Sequence, residues 1–261
     1  MPFAALQQIL ATRFPTAVPA PSLEPCETVS IGIAEVDALT GGLARGSLVE
    51  ICGARCSGRT SLLLATLAAA TGRGEACALV DARDSFDPHS AHEAGVALDR
   101  LLWVRCANIE QSFRAAEWLL LGGGFGLVAL DLCELAPQTV RRVPLNVWFR
   151  FRRAVEHTPT VLLVLEQQPH ASTCASLVLE LRHKNSHWSA AVAEEESPSH
   201  AKLFSEKQIA TQVVRSRFGN FRKEPFLAAQ SGEERTAHRC SVTFTASPDF
   251  AAEPLPTTNR Q

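Results

Sequence analysis

Short apolar runs alternate with longer amphipathic segments along most of this 261-residue sequence. The apolar runs have the length of strands, and the segments between them space their apolar positions as helices do. Strands are predicted at Leu48–Cys52, Ala76–Asp81, Leu101–Val104, Gly126–Leu130 and Val161–Glu166. Helices are predicted at Thr60–Thr71, Gln111–Leu121 and Leu145–His157. This alternation predicts an α/β fold with a mostly parallel sheet and helices on both faces.

The sequence divides into a core region and two flanking segments. Residues 29–227 are predicted to form the core domain, because the alternating strands and helices fall within them. Two further strands, Ala175–Leu181 and Ile209–Arg215, predict an antiparallel extension of the sheet. The polar stretch 183–207 is predicted to be an exposed excursion, and the unpatterned tail 228–261 is predicted to be disordered.

The N-terminal segment, residues 1–28, has a pattern of its own. Its apolar positions form one stripe at helical spacing and predict a short amphipathic helix over residues 3–14. A proline-rich linker of extended character follows it. Two interpretations are open: the helix docks on a neighbouring protein, or it folds back on its own core.

Composition and charge narrow the class of protein. A hydrophobic content of 46% and a charged content of 20% are ordinary for a globular chain. The net charge of −2 gives no global basic field for nucleic acid, although it is compatible with a local basic patch. The 8 cysteines include no C-x-x-C pair, which argues against a zinc site. With no signal-peptide pattern and no apolar run of about 20 residues, we expect a cytoplasmic protein without a membrane span.

The segment Gly53–Thr60 is one letter away from the phosphate-binding P-loop, G-x-x-x-x-G-K-[ST]. It lies between a predicted strand and a predicted helix, as a P-loop must, since the loop amides and the helix N-terminus attract phosphate. Arg59 replaces the lysine with a larger, planar cation, while Thr60 keeps the hydroxyl that binds Mg²⁺. Phosphate binding and its loss both stay open, and efficient hydrolysis is the least expected outcome. The predicted nucleotide contacts are Gly53, Ser57, Gly58, Arg59, Thr60 and Ser61.

A second motif follows the P-loop. The apolar strand Leu127–Asp131 ends in a carboxylate, which is the Walker B pattern. In such proteins this aspartate holds Mg²⁺ at the C-terminal edge of the sheet. Thr60 and Asp131 together predict a magnesium site beside a bound nucleotide.

Three segments of the chain resemble RecA. They are Ser30–Gly53, which leads into the P-loop; Val80–Pro88, which ends in Asp-Pro; and Ala94–Trp103, with its Gly-Val and Leu-Leu pairs. The similarity spans about residues 30–225 and is most specific over residues 30–105. The resemblance implies a RecA-like P-loop core, ATP and Mg²⁺ as ligands, and a role in DNA repair.

Several positions depart from the RecA pattern. The catalytic glutamate of RecA, which activates the attacking water, would fall at Arg83, and an arginine cannot accept that proton. Ser90 stands where an aromatic side chain stacks on adenine in RecA, and the chain contains no tyrosine. The two DNA-binding loops are shortened to Cys133–Pro144 and residues 168–173, which are poorly suited to wrapping a single strand. The resemblance therefore implies weak or absent ATPase activity.

Other positions match the RecA pattern. Asp87 stands where RecA contacts the adenine amino group, and Gln167 matches its nucleotide-sensing glutamine. Arg215 and Arg217 resemble the basic pair that reaches a neighbour's γ-phosphate across the filament interface. Either arginine could equally be a solvated charge at the end of a strand.

A basic cluster with aromatic residues lies in and before the third predicted helix. It could neutralise phosphates and stack bases of single-stranded DNA. The alternative, which we favour, is a helix whose aromatics face the sheet and whose arginines face water. The cluster comprises Arg141, Arg142, Arg150, Arg152 and Arg153, interleaved with Trp148, Phe149 and Phe151.

These departures make the sequence closest in character to the ImuA group of RecA-like proteins. That resemblance implies an accessory role in damage-induced (SOS) translesion DNA synthesis, through contacts with translesion polymerase proteins or with RecA itself. One alternative is an ATP-dependent recombinase that binds single-stranded DNA, with another carboxylate replacing the missing glutamate. Glu134 is a poor substitute, being three positions beyond Asp131. The other alternative is a regulator that caps RecA filaments.

Overall fold

The computed structural model of the chain describes residues 27–189, 203–217 and 241–246. The strands in these residues are β1 (Thr28–Val29), β2 (Leu43–Ala44), β3 (Leu48–Gly53), β4 (Cys77–Asp81), β5 (Leu101–Arg105), β6 (Leu127–Asp131), β7 (Val161–Glu166), β8 (Leu177–Ser189), β9 (Leu203–Ser216) and β10 (Ser241–Ala246). The α-helices are α1 (Ala34–Thr40), α2 (Arg59–Gly72), α3 (Pro88–Glu93), α4 (Ile109–Gly122), α5 (Pro137–Arg141) and α6 (Leu145–Val155).

Eight of these strands form one sheet in the order β10-β9-β8-β3-β7-β6-β4-β5. The six strands from β8 to β5 are parallel, whereas β9 and β10 are antiparallel to their neighbours. Strands β1 and β2 form a separate two-stranded ribbon. The predicted α/β fold, with a mostly parallel sheet and an antiparallel extension, is confirmed.

The central strands are apolar because helices cover both faces of the sheet. On β3, Val49 and Ile51 contribute to one core, while Leu48 and Cys52 contribute to the other. The residues that face them are Leu62, Leu63 and Leu67 of α2 in the first core and Trp148 and Phe151 of α6 in the second. The prediction of helices on both faces is therefore also confirmed.

The stretch predicted as an exposed excursion is in large part a β-ribbon. β8 continues to Ser189 and β9 begins at Leu203, and the two strands pair with each other over this extension. The exposure of residues 183–188 agrees with the prediction, which missed the strand pairing of residues 183–189 and 203–207. Mutual pairing satisfies the backbone groups of both segments, so a polar sequence can form the ribbon.

Part of the predicted disordered tail is also a strand. β10 pairs with β9 along its whole length, and Phe244 is buried against the first core. The exposed Thr243 and Thr245 alternate with Val242 and Phe244, which face inward. The prediction of disorder is wrong for residues 241–246. The amphipathic helix predicted over residues 3–14 lies outside the described residues.

The helices agree with their predicted positions within a few residues. α6 ends at Val155, before its predicted end at His157, because His157 has φ 64° and cannot continue a right-handed helix. No helix in the described part of the chain has the length and apolar character needed to cross a membrane.

Candidate nucleotide-binding site

The loop between β3 and α2 has the backbone geometry of a phosphate-binding loop. β3 ends at Gly53, and α2 begins at Arg59, directly after Gly58. Gly58 has φ 96° and Cys56 has φ 59°, so both lie in the left-handed region. Turns of this kind direct successive N–H groups toward an anion in front of a helix N-terminus. The structure thus places the predicted motif at a site suited to phosphate.

Close packing explains both glycines of the motif. A Cβ atom at Gly53 would lie 2.4 Å from the carbonyl oxygen of Leu181 on β8. A Cβ atom at Gly58 would lie 2.2 Å from Cδ1 of Ile209 on β9, a residue that is fully buried. The loop therefore rests directly on β8 and β9, and neither position leaves room for a side chain.

Two buried polar atoms at this loop have no hydrogen-bond partner within the described residues. They are Oγ of Ser57 and Nη1 of Arg59, whose residues are 2% and 5% exposed. Thr60, in the first turn of α2, is exposed. Buried donors are rarely left unsatisfied, and a bound phosphate would supply the missing acceptor. The chemistry of the loop therefore fits a nucleotide phosphate.

The Walker B carboxylate lies at the same edge of the sheet. Asp131 ends β6, and its Oδ1 accepts a hydrogen bond of 2.9 Å from the backbone N–H of Cys133. Burial raises the pKa of Asp131, against that N–H and the nearby charge of Arg59. A magnesium ion here would take the place of the solvent that the carboxylate has lost.

Asp81, in register with Asp131 on the neighbouring strand, has a structural role. Its carboxylate accepts hydrogen bonds from the backbone of Arg83 and Phe86 and from Nε1 of Trp103. Burial acts to raise the pKa of Asp81, but the backbone donors outweigh it and the pKa is lowered. Asp81 thus fixes the turn after β4, and its lone pairs are already committed.

The two residues considered for water activation are an arginine and a glutamate in an ion pair. Arg83 is exposed in the turn after β4. The Glu134 carboxylate accepts a hydrogen bond of 2.9 Å from Nη2 of Arg55, a residue of the Gly53–Thr60 loop.

Gln167 connects the end of β7 to the segment that follows β6 through two hydrogen bonds. It follows β7, and its Nε2 donates to the carbonyl oxygens of Cys133 at 2.9 Å and Leu135 at 3.3 Å. These carbonyls belong to the connection that begins at Asp131. The structure therefore brings Gln167 next to the segment that follows Asp131.

Asp87 has a local partner that the sequence did not indicate. Its carboxylate caps α3 by accepting from the backbone N–H groups of His89 and Ser90 and from the Ser90 hydroxyl. The hydroxyl bond is the first cause of the lowered Asp87 pKa. The serine that replaces an aromatic at this position thus binds the residue expected to contact adenine.

Arg215 and Arg217 lie far from the phosphate loop of their own chain. Arg215 pairs with Val178, which pairs with Glu50, three positions before Gly53 on β3. At ~3.3 Å per residue this is roughly 10 Å below the loop. The two guanidinium groups donate to the carbonyl oxygens of Ser172 and Thr173. A role at a nucleotide would therefore have to be played toward another chain.

The basic helix α6 has its aromatic side chains turned inward. Trp148 and Phe151 are fully buried, so they cannot stack on bases, and that part of the DNA-binding prediction is wrong. Phe149 is about half exposed. Arg150 and Arg152 form ion pairs with acidic side chains, while Arg141, Arg142 and Arg153 are exposed. The arrangement agrees with the alternative of an amphipathic helix.

A buried acidic pair next to this site escaped the sequence analysis. Glu50 of β3 and Glu166 of β7 are both within 1% of full burial. Oε1 of Glu50 accepts from the backbone N–H groups of His170 and Ala171 at 2.6 Å, and Oε2 of Glu166 contacts Nδ1 of His170 at 2.7 Å. Burial, and then the neighbouring Glu166, raises the pKa of Glu50 to about 8. The only signal in the sequence was a glutamate inside an apolar strand.

The fold and this loop define the class of protein: an α/β protein with a P-loop between β3 and α2. Residues 20–140 match the family model described as the RecA N-terminal domain.

The chain is also similar in sequence to individual RecA proteins. Over 117 residues the chain is 38% identical to Protein RecA of Rhodospirillum rubrum, covering 44% of this chain and 32% of that protein. Protein RecA of Methylobacterium radiotolerans is 38% identical over 119 residues, or 44% of this chain and 33% of the relative. Protein RecA of Acinetobacter baumannii strain AYE is 34% identical over 120 residues, or 45% and 34%. The chain spans about a third of the length of these relatives, and the matches support a RecA-like family.

Proposed function

We propose that this chain is a RecA-like DNA-repair protein that binds ATP with Mg²⁺ at the β3–α2 loop and turns it over weakly or not at all. The observation that carries the proposal is the loop itself, where Ser57 and Arg59 hold unpartnered polar atoms in buried positions. The loop amides and Arg59 would bind the phosphates, and Thr60 with Asp131 would hold Mg²⁺. Gln167 would report the state of the nucleotide to the connection after β7.

Weak turnover is supported by the state of the carboxylates around the loop. A general base must lie within hydrogen-bond reach of the attacking water and be free to accept its proton. Arg83 replaces the expected glutamate, Asp81 is committed to its turn, and Glu134 is paired with Arg55. ATP would then serve to organise the protein rather than to fuel a cycle.

We further propose an accessory role in damage-induced translesion DNA synthesis, exerted through protein contacts with polymerase-type proteins or RecA. Two features support it. The connection after β7 turns back into β8 within residues 167–176, which leaves little backbone for gripping a DNA strand. Trp148 and Phe151 of α6 are interior, which leaves only Phe149 of that helix as an exposed aromatic for stacking on a single strand.

A second candidate, an ATP-dependent recombinase, is favoured by the similarity to proteins named Protein RecA. Titration calorimetry of MgATP into the full chain tests nucleotide binding, and an ATPase assay with and without single-stranded DNA separates the two candidates. We expect binding without DNA-stimulated turnover. Stimulated turnover of about one per second, an ordinary enzymatic rate, would establish the recombinase instead. Co-purification with polymerase-type proteins tests the accessory role.

A further inference from the structure

The β8–β9 ribbon extends past the edge of the sheet at which the phosphate loop lies. β3 ends at Gly53, which pairs with Leu181 of β8, and Leu181 pairs with Thr211 of β9. β8 runs on to Ser189, and β9 begins at Leu203. The residues of β9 before Thr211 therefore stand beyond the last row of β3, beside the loop.

Two residues of β9 contact the loop directly. Ile209 lies so close to Gly58 that no Cβ atom could stand between them. Lys207 is two positions earlier and so projects from the same face of the strand. Its Nζ donates a hydrogen bond to the carbonyl oxygen of Cys56, in the middle of the loop. The ribbon thus brings an ammonium group to a loop whose own lysine position is occupied by Arg59.

The two cations lie in different environments at the loop. Arg59, the first residue of α2, is 5% exposed, so its guanidinium is largely shielded from solvent. Lys207 is partly exposed and carries its charge on a flexible four-carbon stem. An ammonium has three donors, and the carbonyl of Cys56 takes one of them. Two donors therefore remain for a further acceptor.

We propose that Lys207 is a phosphate ligand of this site and supplies the ammonium that position 59 lacks. Its ligand is the polyphosphate of a nucleoside triphosphate. On binding, the ammonium keeps its hydrogen bond to the Cys56 carbonyl and directs its other donors to the phosphate oxygens. The proposal rests on the proposed function, because it requires nucleotide at the β3–α2 loop.

A purely structural role for Lys207 makes a different prediction. If Lys207 only tethers the ribbon to the loop, any donor that reaches the Cys56 carbonyl suffices. Glutamine keeps a donor amide but has no charge, whereas arginine keeps the charge. Lys207→Gln and Lys207→Arg therefore separate a tether from a phosphate ligand.

The test is titration calorimetry of MgATP into the full chain. Variants at Lys207 are compared with Lys184→Ala, which removes an exposed lysine from the same ribbon. We expect Lys207→Ala and Lys207→Gln to weaken ATP binding about tenfold or more, as loss of a charge-assisted hydrogen bond does. Lys207→Arg should stay within about threefold of the parent, and Lys184→Ala should match it. Adding Arg59→Lys to Lys207→Ala should restore binding.

Two results would overturn the proposal, and they are distinguishable. If the parent protein binds MgATP and Lys207→Gln binds equally well, Lys207 is not a phosphate ligand, and the proposed nucleotide site stands. If the parent binds no MgATP, the proposed function fails and the role of Lys207 fails with it. Circular dichroism melting checks that each variant is folded. Should Lys207→Ala not fold, the Gln and Arg variants decide the question.

Discussion

Individual residues of the phosphate loop are constrained by packing as much as by chemistry. Ser57 and Arg59 were predicted to be ligands from the motif alone, and their burial with unpartnered atoms fits that role. The reason for Gly58 could not be read from the sequence, because its neighbour Ile209 lies far along the chain on β9. The contact of Lys207 with the loop could not be predicted for the same reason, because a lysine in a polar stretch carries no pattern that relates it to a distant loop.

Gly58→Ala should destabilise the protein more than a positive φ alone explains. Gly41 provides a matched control, since it has φ 75° at the end of α1 with no atom within 4 Å of an added Cβ. Overpacking costs about 1–3 kcal/mol in addition to backbone strain. We therefore expect Gly58→Ala to lose about 1–3 kcal/mol more free energy of unfolding than Gly41→Ala, measured by urea denaturation. Equal losses would contradict the close approach of Ile209.

At the scale of secondary-structure elements, the sequence predicts buried strands more accurately than polar ones. Strand β7 was predicted with its correct bounds, because every residue from Val161 to Glu166 is buried and nearly all are apolar. The extended part of β8 and β9 was missed, because its polar sequence has no apolar alternation to detect. The connection between β7 and β8 was correctly expected to be short. Glu50 and Glu166, which hold this connection at His170, could not be predicted as a pair, because no local pattern shows that β3 and β7 are neighbours.

This acidic pair should make stability depend on pH. Burial raises the pKa of Glu50 to about 8 and that of Glu166 to about 7, against about 4.3 in an unfolded chain. A raised carboxyl pKa means that the folded state binds more protons than the unfolded state. The pair's contribution to the free energy of unfolding is therefore complete below about pH 4 and is lost as pH rises through 7 to 8. Burial lowers the pKa of His170. This shift has the opposite effect on stability, because its contribution is lost as the pH falls below the ordinary histidine pKa.

The free energy of unfolding, measured by urea denaturation from about pH 6.5 to 8.5, tests this dependence. We expect the parent protein to lose on the order of 1–3 kcal/mol across this range. Glu166→Gln keeps a hydrogen-bonding group of the same shape but cannot ionise, so its profile should be flatter. Glu156→Gln, at the partly exposed residue that follows α6, is the control. A profile for Glu166→Gln as steep as that of the parent would show that the pair does not titrate there.

At the scale of the whole molecule, the sheet extends further along the chain than the match to the RecA N-terminal domain. The match ends at residue 140, yet β7 to β10 all lie beyond it and join the same sheet. The alternation of strands and helices was enough to predict the parallel part. The position of β10 could not be predicted, because its pairing with β9 joins segments separated along the chain and its surroundings are polar. The C-terminal region therefore contributes to the core that supports the loop.

Truncation of Phe244 tests whether β10 completes this core. The side chain is 3% exposed and packs with the residues that β9 and α1 contribute to the first core. Replacing a buried phenylalanine by alanine costs about 3–5 kcal/mol where the cavity cannot collapse. We expect Phe244→Ala to lose about 2–4 kcal/mol in urea denaturation, the lower range reflecting an edge strand that can relax. Thr245→Ala, on the exposed face of β10, should lose well under about 1 kcal/mol. If the two variants were equally stable, β10 would not be part of the core, and a disordered tail would describe residues 241–246 after all.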